Sequence, residues 1–153
     1  MAPALATKYV FSLAIRVGTP IVAGDTGHGV RRVIPVLGGE LHGPGMKGTI
    51  FPVGADFQTI RPNGFTELEA KYAFEMADGA VIYIENIGVR FGPKELLDRI
   101  AKGEIVDPAL IYFRSVPKFE TGSDKYRWLM ENLFVGVGSR YPDRVELDVH
   151  QVL

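Results

Sequence analysis

No cysteine occurs among the 153 residues, which excludes disulfides, thiolate nucleophiles and cysteine-ligated zinc. An excess of charge is missing too. Lys and Arg number 17 against 18 Asp and Glu, leaving a formal net charge of −1. No global field therefore draws the chain to nucleic acid or to an anionic membrane. So small a charge also does little to oppose self-association, which leaves a homo-oligomer open. No run approaches the ~20 apolar residues that cross a bilayer. The opening MAPALATKYVFSLAIRVG is apolar, but Lys8 and Arg16 interrupt it and no basic segment precedes it, which argues against a secretory leader. The expectation is a cytoplasmic protein with neither a membrane nor a nucleic-acid partner.

Motifs for familiar chemistry are sparse as well. None of the four serines, Ser12, Ser115, Ser123 and Ser139, sits in a G-x-S-x-G elbow, which argues against a Ser-His-Asp hydrolase. His28, His42 and His150 lack the two- or four-residue spacing of a local metal pair, so no metal or organic cofactor is implied. The stretch Gly43-Pro44-Gly45-Met46-Lys47-Gly48 fits G-x-G-x-x-G, yet a strand-like TIFPV follows it where a dinucleotide site needs a helix. These glycines bend a strand.

What remains is ordinary globular composition, 46% hydrophobic and 23% charged. One domain over residues 1–153 is expected, burying roughly two-thirds of the surface its unfolded chain exposes. Asn63-Gly64 and Asp78-Gly79 mark two hairpin turns. The β-rich runs 49–61, 65–76 and 80–90 flank them and read as a three-stranded meander. KYVFSLAIRV and VRRVIPVL upstream, with ALIYFRSVPKF, LFVGVGSR and RVELDVHQVL downstream, complete the strands. PKELLDRIAKG and SDKYRWLMENL carry helical spacing. About eight strands without β-α alternation predict a mainly β fold, a single antiparallel barrel with two short helices.

The meander yields the candidate site. If both turns are two-residue loops, Asp56 faces Lys71 and Lys71 faces Asn86, while Gln58 faces Glu69 and Glu69 faces Gly88. The opposite face gathers Val53, Ala55 and Phe57 with Tyr72, Phe74, Tyr83 and Glu85. Two readings stand. Either the aromatic face fills the barrel and the polar rows meet water, or the polar rows line a cavity. A slip of one residue in either turn reassigns the rows.

The runs GGELHGPGMKGTIFPVGADFQ, LEAKYAFEMADGAVIYIENIGVR and FETGSDKYRWLMENLFVGVG resemble the bacterial and fungal family called domain of unknown function 3237. The matching elements are Gly38-Gly39, Gly54-Ala55-Asp56-Phe57-Gln58, Asp78-Gly79, Phe119-Glu120-Thr121 and Tyr126-x-Trp128-Leu129. The resemblance spans nearly the whole chain. It implies a compact antiparallel barrel of the lipocalin-like or allene-oxide-cyclase-like kind. It implies no reaction, so no catalytic residue is carried over.

The functional expectation is a barrel that binds a small, partly apolar organic molecule, with acid/base chemistry of isomerase or cyclase type. Asp56 and Glu69 form the acid/base pair, and Gln58, Lys71 and Asn86 orient the ligand. Tyr72 with Glu85 offers an alternative site on the other face. Trp128 either caps the barrel mouth or packs a helix onto the wall. Arg90 and Arg114, near strand ends, either steer an anionic ligand or sit as solvated rim charges. A non-catalytic carrier and a solidly packed oligomerisation barrel are the competing readings.

Overall fold

The computed structural model describes every residue, Met1–Leu153. Ten strands run in chain order: β1 (Thr7–Val17), β2 (Ile21–Asp25), β3 (Val30–Gly43), β4 (Met46–Ile50), β5 (Ala55–Ile60), β6 (Thr66–Met76), β7 (Val81–Phe91), β8 (Tyr112–Glu120), β9 (Phe134–Arg140) and β10 (Arg144–Val152). Helix α1 (Lys94–Ala101) lies between β7 and β8, and the single turn α2 (Trp128–Glu131) lies between β8 and β9. All pairings are antiparallel, and β1 joins both β10 and β3, so the sheet closes on itself. Eight staves make the barrel, as the strand count predicts, because β4 and β5 share one stave and β2 lies along the outer edge of β3.

That shared stave corrects the expected continuous run 49–61. Residues 51–54 leave the ladder, where Pro52 has no N–H to give to it. A second irregularity re-aims β3. Its pairing with β1 shifts between Val36 and Gly38, and the buried positions move from Arg32, Ile34 and Val36 to Leu41. Gly39 makes this possible. Its φ is +146°, and a Cβ there would stand 2.0 Å from the Ala14 carbonyl oxygen.

Inward alternation fills one half of the lumen. Phe119 sits at the centre of that half, edge-on to Phe11, Phe74 and Phe134 at ring separations of 5.8, 6.4 and 5.3 Å. Leu13, Ile50, Ile82, Ile84 and Val149 pack around them, each at most 1% exposed. Strands β8 and β9 share only two residue pairs, Arg114 with Val137 and Ser115 with Gly136. Leu129 of α2 is buried nearby, and Trp128 lies 5.8 Å from Phe134. Trp128 is partly buried there and packs its helix turn against the wall, one of the two roles open to it.

The opposite end is plugged. Leu97 and Ile100 of α1, with Val106 and Ile111 after it, pack against Leu68 and Phe113 in a second apolar cluster. Arg32 donates from Nη1 to the carbonyl of Ala101 at 3.2 Å, tying the end of α1 to β3. Between the plug and the aromatic half lies the part of the lumen that carries polar side chains.

Candidate functional site

The two hairpins set which side chains point inward. Arg61 and Phe65 pair through a backbone hydrogen bond, and Gly64 N–H closes the turn on the Arg61 carbonyl. Three residues, Pro62, Asn63 and Gly64, therefore form the loop, with Gly64 at φ +87°. The second turn repeats the arrangement. Met76 pairs with Ala80, and Gly79 closes it at φ +89°. In both, the residue before glycine accepts a local bond: Phe65 N–H donates to Asn63 Oδ1 and Ala80 N–H to Asp78 Oδ1, each at 3.1 Å.

A three-residue loop where two were expected shifts register by one, and β6 turns over. Asp56 lies opposite Ala70, not Lys71, and Ala70 lies opposite Asn86. Gln58 lies opposite Leu68, which faces Gly88 and then Ser115. The two shifts cancel across β6, so Asp56, Gln58, Asn86 and Gly88 share one face as expected, and that face points inward. Glu69 and Lys71 are corrected to the outside, where they form an exposed ion pair at 3.5 Å. Asp56 and Glu69 are thus on opposite faces and do not form a carboxylate pair. Tyr72, expected on the face opposite Asp56, shares its face and points inward, 3% exposed. Glu85 stays outside, accepting from Tyr83 OH at 2.8 Å, so Tyr72 and Glu85 do not share a site.

Asp56, Gln58, Tyr72, Asn86, Ser115 and Arg140 line a cavity of about 40 Å³, with Ile15, Val17, Leu68 and Val145 as its apolar wall. The space exists because Ala70, Gly88 and Ser115 put small side chains at neighbouring inward positions. Gly88 is required there, since a Cβ would stand 2.7 Å from that of Ser115.

Most of the lining is apolar, and the protein does not satisfy the polar groups set into it. Asp56 Oδ1, Gln58 Oε1, Tyr72 OH, Asn86 Oδ1 and Ser115 Oγ are buried with no hydrogen-bond partner in the chain. Such an atom typically costs about 1–3 kcal/mol. Gln58 Nε2 donates to Asp56 Oδ2 at 2.9 Å, which fixes the carboxyl while leaving Oδ1 facing the cavity. Burial pushes the Asp56 carboxyl above the ordinary aspartate range, and the Gln58 bond with the charges of Arg90 and Arg140 offsets part of that rise. Burial, reinforced by Asp56, pushes the Tyr72 phenol far up, so it remains a neutral donor.

Arg32, Arg90 and Arg140 are buried too, 7%, 3% and 9% exposed. Arg90, one of the two strand-end arginines singled out from sequence, is internal and not a rim charge. Arg114 points outward, over the Tyr112 ring at 5.1 Å. Burial lowers the pKa of all three buried arginines, that of Arg90 to about 10, and each remains a cation at neutral pH. Arg32, Arg140, Ser115 and the sharing of one face by Tyr72 and Asp56 were not anticipated. Parity offered a signal, because Arg32 is in phase with Ile34 and Val36, and Arg140 with Phe134 and the glycines of FVGVGSR. His28 and His42 are exposed, and His150 lies edge-on to Tyr9.

Comparison with known proteins agrees with this architecture. Residues 5–152 match the family described as "Protein of unknown function (DUF3237)". A UPF0311 protein of Bradyrhizobium diazoefficiens is 61% identical over 153 residues, covering 100% of both chains. A crystal structure of a conserved protein of unknown function from Rhodopseudomonas palustris matches at 59% identity, TM-score 0.95 and 100% of both chains. A β-barrel-like protein from Acinetobacter baumannii matches at 33% identity and TM-score 0.87, over 100% of this chain and 99% of the other. A structure described as an enzyme from Penicillium herquei shares the fold at 19% identity and TM-score 0.74, over 100% of this chain and 98% of the other.

Proposed function

We propose that this chain, which belongs to the DUF3237 family of proteins of unknown function, binds a small organic molecule inside its barrel and uses Asp56 as a single acid/base group upon it. One observation carries the reading. Five buried polar atoms from four strands converge on one cavity and find no partner in the protein. A barrel built only for packing replaces such groups with apolar ones, as this chain does in its aromatic half. Polar groups left open by the protein are a surface for recognising something else.

The chemistry follows from the groups present. Burial holds the Asp56 carboxyl above the range of a solvated aspartate, which favours its use as a group that gives a proton and takes one back. Gln58 holds the carboxyl in place. Tyr72, a neutral hydroxyl in a dry wall, donates to a developing oxyanion. Asn86 and Ser115 orient the bound molecule. With one carboxyl, the natural reaction is one in which a proton leaves one atom of the substrate and returns to another, an isomerisation or cyclisation. Hydrolysis with paired carboxylates would need the second acid that Glu69, on the outer face, does not supply. The Penicillium herquei structure is consistent with the fold accommodating catalysis.

A carrier is the second reading, and the isolation of Asp56 as the one lumen carboxylate favours it. The two separate on turnover. Once a bound compound is identified, Asp56→Asn should keep the fold and the binding but lose turnover by at least a hundredfold. A ligand recovered unchanged from the wild-type protein under all conditions identifies a carrier instead.

A further inference from the structure

The charge inside the lower lumen does not balance. Arg32, Arg90 and Arg140 enter it from three strands, β3, β7 and β9, and Asp56 is the one buried acid that faces them, with exposed Asp143 acting on Arg140 alone. None of the three arginines is within salt-bridge distance of Asp56, whose side-chain bond goes to Gln58. Buried cations are ordinarily paired and hydrogen-bonded, because leaving one uncompensated is expensive.

The hydrogen bonds show which arginine is held for structure and which is not. Arg140 donates from Nη1 to the carbonyls of Tyr141 and Arg144. Arg32 donates to Ala101 and leaves Nε without a partner. Arg90 is the least satisfied. Its Nε has no partner, it forms no ion pair, and its guanidinium lies 5.7 Å from the Phe113 ring centroid. Phe113 and Arg140 also border both the main cavity and a smaller void of about 10 Å³ that touches Arg90. The two spaces are therefore separated by little more than those side chains.

We propose that the lower lumen is an anion site, and that the molecule it takes is a small organic carboxylate whose carboxylate lies between Arg90 and Arg140 while its carbon body occupies the main cavity beside Asp56. This rests on reading that cavity as a ligand site and adds its chemical class. A carboxylate supplies what the cluster lacks, namely two acceptor oxygens and a negative charge for guanidinium donors. Burial also shifts Asp56 toward its neutral form, the form that does not repel an incoming anion. Size limits the ligand. A buried water needs on the order of 10–15 Å³ of such space, so 40 Å³ holds about three. That suits an acid of a few heavy atoms, and a longer one must displace the α1 plug.

The test is titration calorimetry and thermal shift on the wild-type protein. The probes are acetate, propanoate, butanoate and benzoate, each against its neutral amide and against sodium chloride at equal ionic strength. At least one acid should bind saturably and raise Tm, with its amide and chloride at least tenfold weaker. Arg90→Met should keep or raise Tm, because it removes an unpaired buried charge, and should weaken that acid at least tenfold. Arg114→Met, on the outside, should leave binding unchanged. An amide that binds as well as its acid overturns the anion site while leaving a ligand cavity in place. Chloride acting as well as the acids overturns the carboxylate. If none of the four acids binds and Arg90→Met unfolds, the arginines serve the fold, and the proposal fails.

Discussion

Gln58 donates its side-chain amide to Asp56 Oδ2 across 2.9 Å, from two residues further along the same inward face of β5. The bond is local to one strand, so it survives small changes in barrel shape. It stabilises the ionised carboxyl against burial. Gln58→Leu removes it. The Asp56 pKa should then rise further, because a donor that favours the ionised form is lost. Carbon-13 NMR of the aspartate carboxyls reads this directly.

Asp56 also makes stability depend on pH. Its folded pKa lies above the unfolded value of 3.8, with burial the leading cause, so the fold favours the protonated form. Below the unfolded value both states carry the proton and nothing is lost. As pH rises above it, the unfolded chain ionises first and stability falls, levelling off past the folded pKa. Asp56→Asn should abolish this loss. Denaturant midpoints of the two proteins should diverge in favour of the variant as pH rises above about 4.

Glu69 and Lys71 face solvent and pair loosely at 3.5 Å, both about half exposed. Glu69→Gln and Lys71→Gln should each change stability by no more than about 0.5 kcal/mol and leave ligand binding untouched. Parallel urea melts and ligand titrations check both. An Asp56-like loss of function in Glu69→Gln would show β6 in the opposite orientation.

Two positions should be intolerant for different reasons. Gly39→Ala forces a Cβ against the Ala14 carbonyl at a φ of +146°, with a cost of about 3 kcal/mol or more. Phe119→Ala removes the ring that joins three others in the apolar half and should cost about 3–5 kcal/mol. Equilibrium unfolding measures both. The first also disrupts the bend that lets β3 place Arg32 and Leu41 inward on its two halves.

The sequence made much of this fold legible and left half of the site hidden. Alternation in Phe11, Leu13 and Ile15, or in Phe113, Ser115 and Phe119, reveals staves directly, because each has one face on the lumen. Pro52 signalled the break in the run 49–61, but a lone proline does not say whether a strand ends or bulges. The turns were harder. Asn-Gly and Asp-Gly serve two-residue and three-residue loops alike, and the choice alone decides whether Tyr72 or Lys71 lines the cavity. Asp56, Gln58 and Asn86 stayed on the same face because the second shift cancelled the first. Arg32 and Arg140 went unread because charge usually means solvent, and parity with apolar neighbours was the only sign otherwise.

The central claim is that the lower lumen receives a ligand, and filling that space tests it. Ala70 projects into the cavity beside Asp56 and Asn86. Ala70→Leu should occupy it and remain folded. A metabolite library screened by thermal shift on both proteins should yield compounds that raise the wild-type Tm and leave that of Ala70→Leu unmoved. Compounds that stabilise both proteins equally, or none that stabilises the wild type, would contradict the account.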